Sequence, residues 1–111
     1  MVHLVEKFRN KYSHEKYEED LKALKKEHGS KKLADFARNS DFSNIRLEAL
    51  KRISDEHVLK DIAQKDSNSN VRKAAIGKIT NVYVLEDISR KDSNRSVRNL
   101  AQSRLKELGY E

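Results

Sequence analysis

Apolar residues return along this chain every 26 positions. Leu33, Leu59 and Leu85 form one series, Phe36, Ile62 and Ile88 a second, and Ile45, Val71 and Val97 a third. Ala23, Ala49, Ala75 and Ala101 keep the same spacing, as do Ile53, Ile79 and Leu105. Inside each period the apolar positions sit three or four residues apart, which lines one face of an α-helix. Self-similarity at a fixed period marks stacked supersecondary units, none of which buries its apolar face alone. The pattern predicts eight short helices in four pairs, at 2–11 with 14–28, 31–38 with 44–54, 56–65 with 70–80, and 82–91 with 97–108. Leu4, Val5 and Phe8 in the first of these are out of register with the later units, as befits an irregular terminal repeat.

Polar punctuation supports this division. Ser13, Ser30, Asp55, Ser69, Asn81 and Ser96 stand where helices should start, with side chains able to cap free N–H groups. Gly29 and Gly109 stand where helices should stop, as left-handed C-terminal caps. On a wheel for residues 45–53, Ile45, Ala49 and Ile53 share the buried stripe. Arg46 falls inside that stripe, Arg52 on its edge, and Leu47 and Lys51 face away. The later units repeat the wheel, except that Gln102 replaces the apolar residue at Leu50 and Ile76, as suits a solvent-facing end.

The segments Asp66-Ser67-Asn68-Ser69-Asn70-Val71-Arg72 and Asp92-Ser93-Asn94-Arg95-Ser96-Val97-Arg98 each put an Asp six residues before an Arg that follows Val. This resembles the short HEAT-like repeats of phycobilisome-lyase-related proteins, over roughly residues 31–108. The match is strong at 55–80 and 81–108, and weaker at 31–54, where Ser40-Asp41 shifts the acid by one position. The resemblance implies an all-α, right-handed solenoid of about four hairpins, with the Asp in the turn inside each pair and the Arg at the start of the second helix. Residues 1–111 then form one domain, with 1–30 an irregular capping pair and 31–54, 55–80 and 81–108 the repeats. Such solenoids mostly hold other macromolecules, so the fold alone implies no particular activity.

An Arg inside an apolar stripe must be paired, and an acid in the adjoining turn is the obvious partner. Asp41, Arg46, Asp66, Arg72, Asp92 and Arg98 are therefore read as a structural ladder. A second column, Lys26, Arg52, Lys78 and Arg104, is basic at every repeat. With alkyl stems along the core and charges in water, these side chains could grip an acidic peptide or a phosphate backbone, or simply solubilise the ridge. Lys51 widens the row. Phe42 and Leu47 are either packed on the preceding pair or hydrophobic anchors for a partner.

Composition narrows the function classes. Leu, Ile, Val and Phe make up about a quarter of the chain, above the level where disorder is the default. The net charge of +6 is divided equally between residues 1–40 and 41–111, so there is no basic arm. Cys is absent, which excludes disulfides, thiolate catalysis and zinc–thiolate sites. The four His residues form no His-Glu-x-x-His pair, so neither metal nor cofactor is expected. No apolar run suits a membrane span, and the N-terminal residues lack the order of a signal peptide. The resulting expectation is a cytoplasmic, non-enzymatic scaffold or adaptor that binds a protein along its second-helix face, an acidic one where the basic column makes the contact. Nucleic-acid binding through the same basic column is the alternative; no aromatics are interleaved among the cations for base stacking.

Overall fold

Seven α-helices and no strands make up the described residues of the computed structural model, which cover 2–110, with side chains from Ser13 onward. They are α1 (Val2–Lys26), α2 (Ser30–Asn39), α3 (Ser43–Leu50), α4 (Glu56–Lys65), α5 (Ser69–Ile76), α6 (Val82–Lys91) and α7 (Arg95–Glu107). The side chains of His3, Leu4, Val5 and Phe8 lie outside the described residues.

The expected break between helices at 2–11 and 14–28 does not occur, so there are seven helices rather than eight. No Gly or Pro interrupts residues 2–26, and Ser13, the expected cap, sits exposed inside α1. A single Ser in a run of Lys, Glu and Tyr lowers helix propensity by only a few tenths of a kcal/mol (~0.5). The first hairpin is therefore absent, and α1 contributes one long helix. Leu24 of α1 is buried, while Tyr17 and Leu21 pack half-buried against the core.

The other six helices form three hairpins: α2 with α3, α4 with α5, and α6 with α7. The second helices pack in a row, α3 on α5 and α5 on α7, with α1 against α3 at one end, while the first helices pack α2 on α4 and α4 on α6. The Cα envelope measures 56 × 34 × 16 Å, so its short dimension is about two helix layers.

Asparagine sets the starts of the later second helices. Asn68 accepts from the N–H groups of Asn70 and Val71, and Asn94 from those of Ser96 and Val97. Asn81 and Asp55 cap α6 and α4 in the same way. The expected caps Ser69 and Ser96 lie one and two residues further on, already helical. Ser30 is likewise the first residue of α2, after Gly29. Gly29 has φ −77° and is no left-handed cap, whereas Gly109 has φ +90°. The N–H of Tyr110 then returns to the Leu105 carbonyl at 2.8 Å, closing α7 with a Schellman-type turn.

The core follows the period. Its largest fully buried side chains are Ile45, Val71 and Val97, Leu50 and Ile76, Leu59 and Leu85, and Ile79. Ala37, Ala49, Ala63, Ala75 and Ala101 are also fully buried, and their small size lets neighbouring helices approach closely.

Candidate functional site

Arg46 and Arg72 each donate three hydrogen bonds to two groups. From Arg46, Nε and Nη2 donate to the two carboxylate oxygens of Asp66 at 2.9 and 3.1 Å, and Nη1 to the Ser40 carbonyl at 2.7 Å. Arg72 repeats this with Asp92 at 2.9 and 3.1 Å and the Asp66 carbonyl at 2.8 Å. The carboxylates come from the next hairpin, and the carbonyl from the Arg's own turn. Each Asp also accepts from a backbone N–H two residues on, Asn68 or Asn94, at 2.9 Å. Side-chain exposure is 12% and 3% for the first pair and 11% and 6% for the second. Among the described residues, no buried side-chain nitrogen or oxygen lacks a partner.

The ladder thus joins neighbouring hairpins rather than closing each one, and its ends differ. Asp41 is exposed and makes no pair with Arg46 among the described residues. Ser40 stands in the register of Asp66 and Asp92, and its Oγ accepts from the Phe42 N–H at 3.3 Å. Arg98 donates from Nη1 to the Asp92 carbonyl at 2.6 Å and meets no carboxylate among the described residues.

The basic column is also engaged. Arg52 donates to the Leu24 carbonyl at 3.0 Å and to the Glu27 carbonyl. Lys78 Nζ reaches the carbonyls of Leu50 and Lys51 at 2.8 and 3.2 Å. Arg104 Nε reaches the Ile79 carbonyl at 3.1 Å, and its Nη1 pairs with Glu107 at 3.1 Å. Arg52 and Lys78 therefore reach back to carbonyls at the ends of α1 and α3, and Arg104 to one in the segment that follows α5. Carbonyls in a last helical turn lack intrahelical donors and carry the negative end of the helix dipole. The sequence signal for this is the fixed basic spacing at the stripe's edge, which by itself does not distinguish a row facing outward from one reaching back to carbonyls. Lys26, at the head of the column, is exposed.

A prediction separates the two kinds of lysine on this face. Lys78→Met keeps the alkyl stem but removes the donor, and should lower stability by about 1–2 kcal/mol. Among the described residues Lys51 pairs with Glu48 of its own unit, at 2.9 Å, and its side chain is 69% exposed. Lys51→Met should therefore change stability by less than about 0.5 kcal/mol. Urea unfolding of both variants reads the difference, and equal losses would remove the cap assigned to Lys78.

The remaining expected positions are packed. The Phe42 ring meets the Tyr17 ring edge-on, with centroids 5.4 Å apart, and so ties α1 to the first hairpin. Leu47 is half-buried against the core. On the first-helix side Arg38 pairs with Asp61 at 2.8 Å, and Gln64 donates to Asp87 at 3.4 Å. Asp61 and Asp87, repeated on the first helices, thus link adjacent hairpins too.

An open cleft of about 400 Å³ lies between the starts of α2 and α4, beside His28, Lys31, Arg38 and Arg52. Among the described residues no three His, Cys, Asp or Glu side chains converge as metal ligands. No described helix is long and apolar enough to cross a membrane. No family model matches the chain, and neither a curated protein nor a solved structure matches it significantly.

Proposed function

We propose that this chain is a HEAT-like repeat protein, a right-handed α-solenoid, that works as a non-enzymatic scaffold binding a partner protein along its second-helix face. The observation that carries this reading is the row of α3, α5 and α7, packed side by side with equivalent positions one repeat apart. Such a row offers an extended surface with a regular step, which suits an elongated partner better than a small molecule. Nothing converges on it as a catalytic constellation would.

Arg52, Lys78 and Arg104 keep their charge but are tied to backbone carbonyls, and other lysines add to the field that a partner meets. Lys26 and Lys51 are exposed, and Lys73 is half-exposed on α5. They favour an acidic protein segment.

The test follows from that division. Once the partner has been identified by affinity purification and mass spectrometry, its binding to a Lys26→Glu/Lys51→Glu/Lys73→Glu variant is measured. Affinity should fall by about tenfold or more while the melting temperature stays unchanged. Undiminished affinity would overturn the second-helix face as the site. A random DNA duplex and a single strand, titrated at two salt concentrations, test the alternative. Micromolar binding that falls steeply with salt would favour nucleic acid instead.

A further inference from the structure

We infer that the end face formed by α6 and α7 is a receptor for an acidic helix carrying two aspartates five residues apart. The inference rests on the protein-binding reading only in naming a protein as the ligand, because the surface lies apart from the second-helix face.

Two donor columns run through the stack in the same direction. Arg46 and Arg72 each grip an Asp of the next hairpin. Arg38 and Gln64 do the same on the first-helix side, with Asp61 and Asp87. In both cases the two acceptors sit on one helix, five positions apart, with the second acid at its C-cap: Asp61 and Asp66 on α4, then Asp87 and Asp92 on α6. The last hairpin supplies the next donors in both columns. Arg90 stands one repeat after Gln64, and Arg98 one repeat after Arg72. Among the described residues neither meets a carboxylate.

Arg98 is already anchored for the task. Its Nη1 bond to the Asp92 carbonyl repeats the bond that Arg46 makes to Ser40 and Arg72 to Asp66. The Nε and Nη2 donors, which in those residues form a two-pronged grip on a carboxylate, remain available. A guanidinium anchored in this way loses little further freedom when a carboxylate arrives.

The rest of the end face argues for a charged helix and against a second copy of this chain. Two positions buried between hairpins, Ala37 with Ala63 and Leu50 with Ile76, become half-exposed Ser89 and exposed Gln102 here. Both changes replace apolar residues with polar ones, which disfavours stacking of another copy in the register of the repeats. At the opposite end, α1 packs on α3 in the place a preceding second helix would need. Charge complementarity with the two arginines therefore selects the occupant, and its binding should be salt-sensitive.

The experiment uses the full chain and a fluorescein-labelled, lactam-bridged helical peptide with one Asp-x-x-x-x-Asp pair, followed by anisotropy at low and high salt. Binding should appear at low salt and weaken about tenfold with Arg90→Gln, with Arg98→Gln, or with both peptide aspartates changed to Asn. Arg98→Gln also removes the bond to the Asp92 carbonyl, so its melting temperature is checked. Arg90 is exposed and makes no such bond among the described residues, so its variant reads binding. Lys60→Gln, an exposed charge on α4, controls for net charge and should leave binding unchanged. The second-helix variant Lys26→Glu/Lys51→Glu/Lys73→Glu should retain binding that falls off with Arg90→Gln, so failure of that face and failure of this one are told apart. Absence of binding at low salt would overturn the assignment, as would equal affinity for the wild type and the Arg90→Gln protein. A DNA duplex bound more tightly through the same two arginines would also overturn it, in favour of a phosphate ligand.

Discussion

Asp66→Ala should lower the unfolding free energy by about 3–5 kcal/mol, whereas Asp41→Ala should change it by less than about 0.5 kcal/mol. Both acids lie in the turn ahead of their unit's Arg, but Asp41 is one position out of register, where Ser40 stands for Asp66, and it is exposed. Asp66 is almost wholly enclosed and accepts both prongs of Arg46 and the Asn68 N–H. Its removal leaves the Arg46 guanidinium partly enclosed, with two donors unmet, and stranding one partner of a buried pair is the expensive way to break it. For a chain of this length the loss corresponds to a drop of roughly 12–20 °C in melting temperature. The double variant Arg46→Met/Asp66→Leu should recover most of it, because an apolar pair of similar volume needs neither desolvation nor a partner. Denaturant unfolding of the four proteins measures all of this. Equal stability of Asp66→Ala and Asp41→Ala would mean that the ladder does not hold adjacent hairpins together.

Asp66 also shows where the sequence could be read and where it could not. The period placed the first helices well, because α4 and α6 begin right after a capping Asp55 or Asn81 and end at a polar turn. The starts of the second helices were harder to place. In Asp66-Ser67-Asn68-Ser69 every residue can cap, and the structure uses Asp66 to close α4 and Asn68 to open α5. A binary pattern of polar and apolar residues does not distinguish these duties. Arg46 and Arg72 could be recognised as needing partners, since they fall inside an apolar stripe. Which acid answers depends on how far one hairpin is displaced from the next, and that is a property of packing. The basic column carried the same ambiguity: its spacing was plain, but the carbonyls it reaches belong to the preceding unit. Ser13 misled for a simpler reason, since a residue that caps well is also tolerated within a helix where no breaker stops the chain.

Ile76→Ala should cost about 3–4 kcal/mol, while Gln102→Ala, at the equivalent position of the next repeat, should cost less than about 0.5 kcal/mol. Ile76 is fully buried and Gln102 is exposed. Shortening Ile76 opens a cavity at a fully buried position of the core. Leu50→Ala, one repeat earlier and also buried, should behave like Ile76→Ala. The three positions share one register on the second helices α3, α5 and α7, so a division of two against one assigns the energy to the packing around the site and not to helix propensity, which Ala would improve in every case. Similar losses at all three positions, measured by urea unfolding, would mean that the outer side of α7 is covered by something, and the polar end face would need another explanation.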